Sequence, residues 1–535
     1  RFKSYFAINA NKRLGFGFYI DYLYGRGLYQ DQSTAFFNGG LFSSYRGDKY
    51  DMHFIFNNDN LKMAENGGIT DDRYITNPLD MAEGKKEYSA NEIPTRLSQI
   101  WNHNTSYHAF LTHRYNLGFY KEKQDSVDTD SVKITQVFVP VTSFIHTLQV
   151  DLNNRKYISY DDAQNQKYFE HNYLGTDSID KTKRTSIKNT IGIALQEGFN
   201  KWAKAGLTAF LSYEYRNFAL TDTTNIPGQR IINNYKESSL SIGGELSKKQ
   251  GKLLHYNILG ELAIAGEDAG QFSVEGRGDL NLRLFGDTVR LDVNAFIKNQ
   301  NPVFYFRHFQ SKHYWWDNND LSKIMRTRLE GKLSLNRWGT QLRAGVENIK
   351  NYTYLANASI PVKDSEGNVT GFKNNAAVRQ HSGNIQIFTA MLQQKLKVGI
   401  FHLDGEVAYQ KSSEQDILPL PELSAYGNLY MKFGLAKKVL QIEMGADVRY
   451  FSKYYAPDYS PVIGQFYNQN PDDKIEIGAF PIVNVYANLH LKRTRFFIMM
   501  YHVNAGSGKS NYFLAPHYPI NPRMIKFGLS WNFFD

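Results

Sequence analysis

The sequence predicts an all-β fold, and specifically a transmembrane antiparallel up-and-down β-barrel. Apolar and polar residues alternate along many segments of 13 to 18 residues, and short turns alternate with long connections between these segments. Only every second residue of a barrel strand contacts lipid, so a mean hydropathy of −0.49 is compatible with a membrane protein. The pattern therefore indicates a barrel with short periplasmic turns and long extracellular loops.

The alternation is clearest in residues 272–284, 324–336 and 475–492. In the first of these segments one face is apolar, and the other carries Ser273, Glu275, Arg277, Asp279, Asn281 and Arg283. Strands of soluble sandwiches also alternate, but they usually run about five or six residues. A tilted strand needs about 9–11 residues to cross a bilayer. The length of these segments and their densely charged face thus favour a membrane barrel.

The composition agrees with an exported β-sheet protein. Tyrosine and phenylalanine each occur 36 times, whereas proline occurs 15 times and cysteine is absent. Tyrosine is favoured where one end of a side chain is hydrated. The lack of cysteine excludes disulfides and thiolate metal sites. No stretch of about 18 uncharged apolar residues is present, which argues against helical membrane spans.

The connections fall into two classes. We expect short turns at 199–202, 249–252, 286–288, 336–339, 436–438 and 492–494, and long connections near 221–232, 301–320, 356–379, 454–473 and 506–520. Residues 59–101 and 301–320 are predicted to be long external loops. With 59–101 as an external loop, residues 120–136 would then be an unusually long periplasmic turn. Aromatic residues at the short-turn ends predict an interfacial girdle formed by Phe199, Trp202, Phe285, Trp338 and Trp531.

These segments give about 21 strands, and the last one ends on the periplasmic side. Single-chain bacterial barrels close with an even number of strands, so we expect about 22 when complete, within a range of roughly 16 to 24. Residues 1–535 would form a single barrel domain, with N-terminal residues of the mature protein missing. The last strand, 524–534, is predicted to point Ile525, Phe527, Leu529, Trp531 and Phe533 outward.

Several segments resemble the putative porin family of Bacteroidetes outer membranes. They are SYRGDKYDMHFIFNNDNLKMAENGGI at 44–69, RYNLGF at 114–119, PVTSFIHTL at 140–148 and RMIKFGLSWNF at the C-terminus. The resemblance spans most of the chain and implies an outer-membrane barrel without a soluble enzymatic domain. It does not identify a solute, and it carries over no catalytic residue.

The polar strand faces should line the lumen of the barrel. The predicted pore-lining residues are Arg216, Arg277, Asp279, Arg283, Arg290, Asp292, Lys298, Arg326, Arg328, Glu330, Lys332, Arg343, Glu347, Asp447 and Arg449. Mixed charges across a pore create a transverse field, and a basic excess favours anions. The alternative is that most of these residues pair across neighbouring strands and brace the wall, leaving only a minority to set selectivity.

The loop at 301–320 is rich in aromatic residues and is a candidate constriction. Its candidate residues are Phe304, Tyr305, Phe306, Arg307, His308, Phe309, Tyr314, Trp315 and Trp316. Folded inward, these rings could stack on sugar rings. Alternatively, the loop packs on its neighbours or plugs the pore as a structural element. The spacing of His308, His313 and Asp317 is too weak a pattern to predict a metal site.

The function predicted first is passive diffusion of small hydrophilic solutes through an outer-membrane porin, with a preference for anions. The alternatives are a plugged or gated importer with a lipoprotein partner, and a structural or assembly scaffold with a closed lumen. No catalytic grouping stands out, so we expect neither an enzyme nor a cofactor. Expected partners are outer-membrane lipid and lipopolysaccharide, small hydrophilic solutes and a second copy of the chain, but not nucleic acid, because the cations are spread along strands.

Overall fold

A computed structural model describes residues 1–128, 131–160, 163, 167–200, 203–223, 230–284, 286–367, 369–508 and 510–532. Its main feature is one 21-stranded antiparallel sheet, which confirms the predicted fold class. The strands are β1 Phe2–Asn9, β2 Leu14–Arg26, β3 Ser33–Arg46, β4 Tyr50–Ala64, β5 Ile100–Asp128, β6 Ser131–Ser159, β7 Ile179–Leu195, β8 Gly206–Thr223, β9 Arg230–Lys248, β10 Leu254–Gly266, β11 Phe272–Leu284, β12 Asp287–Gln300, β13 Ile324–Leu335, β14 Thr340–Asn357, β15 Ala376–Val398, β16 Phe401–Ser412, β17 Leu423–Leu435, β18 Leu440–Phe451, β19 Ile482–Leu491, β20 Thr494–Tyr501 and β21 Met524–Trp531.

Each strand pairs with the next one along the chain, from β1–β2 through to β20–β21. All long connections consequently emerge at one rim of the sheet and the short turns at the other. Connections from the two ends of the sheet contact each other at the long-loop rim. There the hydroxyl of Tyr29 donates to the carbonyl of Ile520 (3.2 Å), and the N–H of Ile69 donates to the carbonyl of His517 (2.8 Å). The sheet therefore encloses a lumen.

The two faces of the sheet differ as the alternation predicts. Leu329, Val346 and Phe388 are cross-strand partners on the outer face, and they are 54%, 53% and 44% exposed. The residues next to them in sequence point into the lumen, and on β11–β14 these are largely charged. An exposed apolar row opposite a charged row is typical of a wall that separates lipid from water.

One predicted strand is shorter than expected. The alternation of 475–492 suggested a strand along the whole segment, but β19 begins only at Ile482. Gly478 and Ala479 have φ values of 104° and 58°, which an extended strand cannot contain, and Pro481 lacks a backbone N–H. Ile477 is instead buried among loop residues, so its apolar character reflects packing inside the lumen and not contact with lipid.

The predicted long turn at 120–136 is wrong. Strands β5 and β6 continue to Asp128 and Ser131 as a paired hairpin. They extend past the short-turn rim, because β4 begins opposite Tyr115 and β7 ends opposite Thr142. Outside the bilayer a strand can be hydrated on both faces, so the alternation is lost while the β-branched residues of 132–141 still favour extended backbone.

Aromatic and apolar side chains mark the outer surface near the short turns. Trp338 and Trp531 are exposed there, as the predicted girdle requires, whereas Phe199 is half-buried. Trp202, Phe285 and Phe533 lie outside the described residues. In β21 the outward row Ile525, Phe527 and Leu529 is exposed. No helix in the described part of the chain is long and apolar enough to span a bilayer.

The main buried core lies inside the lumen at the long-loop rim. We call it the loop layer and define it by the connections 65–99, 301–323, 452–481 and 502–523. One cluster in the layer contains Ile69, Ile93, Ile477, Phe480 and Tyr512. A second cluster joins the loop residues Leu97, Phe309, Tyr314 and Val462 to the lumen-facing Ile100 and Tyr157. The loops therefore fold inward and pack on the inner wall instead of projecting away from the rim.

Candidate pore and the loops inside it

Most of the predicted pore-lining residues lie together on one wall of the lumen. Arg277, Asp279, Arg283, Arg290, Asp292, Lys298, Arg326, Arg328, Glu330, Lys332, Arg343 and Glu347 all occupy lumen-facing register positions of β11–β14. We call this surface the charged wall. With Glu275 included, it carries eight cations and five carboxylates. The wall therefore has a net positive charge.

Ion pairs connect neighbouring strands of the charged wall. Asp292 accepts from Arg290 at 2.8 Å and from Lys332 at 3.1 Å. Glu330 lies 2.6 Å from Arg343 and also contacts Arg328. The cations of these pairs are 39–50% exposed, whereas the carboxylates are largely buried, so the contacts fix the side chains of the charged wall in place. Among the described residues Arg277 and Arg283 pair with no carboxylate, which leaves their charge directed at the lumen.

The three remaining predicted residues lie on other parts of the inner face. Arg216 on β8 is held by Asp268 at 2.6 Å and Glu237 at 3.3 Å. Asp447 on β18 accepts from Asn484 at 2.9 Å, and the guanidinium of Arg449 lies 5.6 Å from the ring centre of Tyr426. These residues face the lumen but are not brought together with the charged wall.

The aromatic loop between β12 and β13 enters the lumen. It begins with a helical turn, Phe304–Arg307, followed by a small hairpin of His308–Gln310 and Trp315–Asp317. Phe304 stacks on Phe218 of the inner wall, with ring centres 3.8 Å apart. Arg307 donates to Glu237 at 2.6 Å and to Glu267 at 2.7 Å. A stacked ring and a charge-assisted pair therefore anchor the base of the loop to β8 and β9.

The tip of the same loop reaches the wall formed by β6 and β7. The backbone N–H of Lys312 donates to Asp180 (3.1 Å), and Lys312 Nζ donates to the carbonyl of Asp177 (2.7 Å). His313 bonds to the carbonyl of His171, and Tyr314 contacts Asn374. Lys312, His313 and Tyr314 are almost completely buried. The loop thus spans from β12 to β7 and obstructs part of the lumen.

The loop does not assemble a metal site. His308 pairs with Asp317 at 2.6 Å, but His313 points elsewhere and packs on Phe169. Among the described residues no group of three or more His, Cys, Asp or Glu side chains could hold a metal ion. Trp315 is the one aromatic ring of the candidate constriction that is largely exposed, at 49%.

A cavity of about 480 Å³ lies beneath this loop. Its aromatic side consists of Tyr305, Phe306, Phe309 and Trp316, and its polar side includes Asn104, Ser106, Asn153, Arg155 and Thr182. We call it the lumen cavity. The sequence predicted the aromatic half but not the polar half. Residues 102–106 and 153–156 are polar on both strand faces, so alternation could not show which side chains enter the lumen.

A buried polar network joins the loop layer to the wall. Glu65, just after β4, is 5% exposed and accepts hydrogen bonds from Asn102 at 2.7 Å and from the hydroxyl of Tyr459 at 2.9 Å. Arg155 donates in turn to Asn102 at 2.7 Å. Burial raises the pKa of Glu65 to about 7, against the opposing effect of these hydrogen bonds. This carboxyl group therefore titrates near neutral pH.

The chain belongs to the family described as Putative porin, whose match covers residues 1–535. A comparison with curated proteins found no match. The family match confirms the resemblance to the putative porin family that the sequence motifs indicated.

Solved structures with the same architecture are outer-membrane receptors. The siderophore receptor PirA from Acinetobacter baumannii aligns with a TM-score of 0.60 at 9% identity, over 98% of this chain and 76% of that one. BauA, the ferric preacinetobactin receptor from the same organism, aligns with a TM-score of 0.54 at 10% identity, over 99% of this chain and 77% of that one. A mutant of PfeA, the ferric enterobactin receptor from Pseudomonas aeruginosa, in complex with enterobactin aligns with a TM-score of 0.57 at 12% identity. The alignment covers 98% of this chain and 78% of that one. Such low identities establish a shared fold only.

The family and the fold together locate the protein in the bacterial outer membrane. The short turns then face the periplasm, and the loop layer lies at the external side of the barrel. The family is described as one of porins and not as an enzyme family.

Proposed function

We propose that the protein is an outer-membrane channel for passive diffusion of small hydrophilic solutes, with a lumen narrowed by its own external loops. The observation that supports this most strongly is the charged wall on β11–β14, which faces the lumen while the outer face is apolar. Hydrated charges lower the barrier for polar solutes, and their cationic excess favours anions. Lipid and lipopolysaccharide would contact the apolar outer face.

Reconstitution into planar bilayers tests the proposal. Purified protein should insert in discrete current steps, and the conductance of each step should rise in proportion to bulk salt, as expected for a water-filled pore. Protein denatured before addition controls for detergent artefacts. Folded, inserted protein that produces no steps would contradict passive diffusion.

Charge selectivity gives a second prediction. Glu330 lies between Arg328 and Arg343, so Glu330→Gln should release two guanidinium groups and increase the preference for chloride. In a tenfold KCl gradient the reversal potential should move toward the chloride equilibrium value by roughly 5–10 mV. The matched control is Glu83→Gln in the 65–99 connection, where the side chain is exposed. Equal shifts in both variants would show that the charged wall does not set selectivity.

An energised importer is the second candidate function. It is favoured by the likeness to siderophore receptors and by the packing of the loop layer inside the lumen. An importer of this kind would pass no current on its own, and solute uptake by cells would stop when the inner-membrane proton gradient is collapsed. It would also need an energy-transducing partner or a lipoprotein that diffusion does not require.

A further inference from the structure

The lumen cavity has two chemically different sides. One side is aromatic and comes from the inserted loop. Phe309 and Trp316 stack with ring centres 5.0 Å apart, and Trp316 Nε1 donates to the carbonyl of Tyr305 at 2.9 Å. Tyr305 meets Phe309 edge to face. These contacts fix the rings in place before any ligand arrives, which reduces the entropy that binding would cost.

The opposite side is polar and comes from β5, β6 and β7. Thr182 is 4% exposed, and its Oγ1 is buried without a hydrogen-bond partner in the described structure. The side-chain amide of Asn104 likewise has no partner among the described residues, although it lines the cavity. Leaving a buried hydroxyl unbonded costs about 1–3 kcal/mol, so a ligand that supplies donors and acceptors would be stabilised here.

Among the described residues that line the cavity, Arg155 alone is ionic. It donates to Asn102, and the carboxyl groups of Asp180 and Glu65 lie near enough to attract it. An anionic ligand would therefore compete with existing partners. A fully apolar ligand would leave Thr182 and Asn104 unbonded.

We propose that the lumen cavity binds a neutral saccharide. This inference rests on the proposed function and names the chemical class of the solute. A sugar ring presents C–H groups to an aromatic face, and its hydroxyls both donate and accept, as the amides of Asn104 and Asn153 do. The cavity, at about 480 Å³, falls within the size range of small-ligand sites. Its place beneath the loop layer puts the saccharide on the path through the lumen.

Calorimetric titration of the detergent-solubilised full chain tests the site, with maltohexaose, cellohexaose and N-acetylchitohexaose as probes. At least one probe should bind. Trp316→Ala removes a cavity ring, and Asn104→Leu replaces an unbonded amide at similar size; each should weaken binding roughly tenfold or more. The matched control is Trp315→Ala, because Trp315 is the exposed neighbour in the same loop and does not line the cavity.

The outcomes separate this inference from the proposed function. Failure of the folded wild-type chain to bind any of the three probes at millimolar concentration would overturn the saccharide site. An equal loss in Trp315→Ala would also overturn it, because loop folding and not ring contact would then govern binding. Bilayer current without saccharide binding would support the channel and contradict the saccharide site. Saccharide binding without current would contradict passive diffusion and support the site.

Discussion

Deleting residues 305–316 is expected to increase the single-channel conductance by roughly twofold or more. From their start after β12, these residues pass along the inner face of β9 and β8, where they contact Glu237 and Phe218, and they reach Asp180 on β7. Without them this part of the lumen is no longer filled, and the local cross-section available to ions increases. The remaining 301–304 and 317–323 segments are long enough to connect the adjacent strands β12 and β13. Current recordings on the inserted variant in planar bilayers measure the effect.

A deletion of equal length in another external loop is the control. Residues 361–372 belong to the connection between β14 and β15, where Ile360 and Val362 are exposed. Removing them should leave the conductance close to that of the wild type. If the 305–316 deletion inserts normally and its conductance is also unchanged, other parts of the loop layer limit the flow and the constriction hypothesis is wrong.

The barrel was predictable because lipid and water impose a strict period of two on any strand that separates them. The register of β11–β14 places every charged residue predicted on those strands on one face, as a simple count along 272–284 and 324–336 suggested. Predictions from the alternation were wrong where that constraint is absent. The hairpin at 120–136 lies beyond the membrane, and 475–481 packs inside the lumen.

The candidate site was only half predictable. The composition of 301–320 indicated aromatic chemistry, but not where the loop would fold, because its partners are distant in sequence. Lys312 meets Asp180, and Arg307 meets Glu237. No pattern in the sequence indicated that the polar residues Asn104 and Thr182 would line the lumen cavity. Contacts of this kind follow from three-dimensional packing, to which no local periodicity corresponds.

Glu65 should make the loop layer less stable as the pH rises. Its pKa is about 7 in the folded protein against a usual value near 4.5, so the folded state holds the proton more tightly than an opened state does. The stabilisation is complete below about pH 4.5 and is lost as the pH rises through 7. The full effect on the free energy of opening is roughly 3 kcal/mol. Hydrogen exchange of residues 65–99 and 458–467, corrected for intrinsic rates, measures it between pH 4.5 and 8.

Glu65→Gln should remove most of this pH dependence, because the amide keeps the shape and still accepts from Asn102 and Tyr459. A smaller decrease of protection with rising pH should remain in this variant, because burial also raises the pKa of Asp458 in the loop layer. Glu83→Gln, at an exposed position of the same connection, should retain the wild-type slope. If protection of these loops in the wild type is independent of pH, or increases toward pH 8, Glu65 does not couple protonation to the packing of the loop layer. A confirmed decrease in protection would mean that deprotonation of Glu65 loosens the packing of the loop layer inside the barrel.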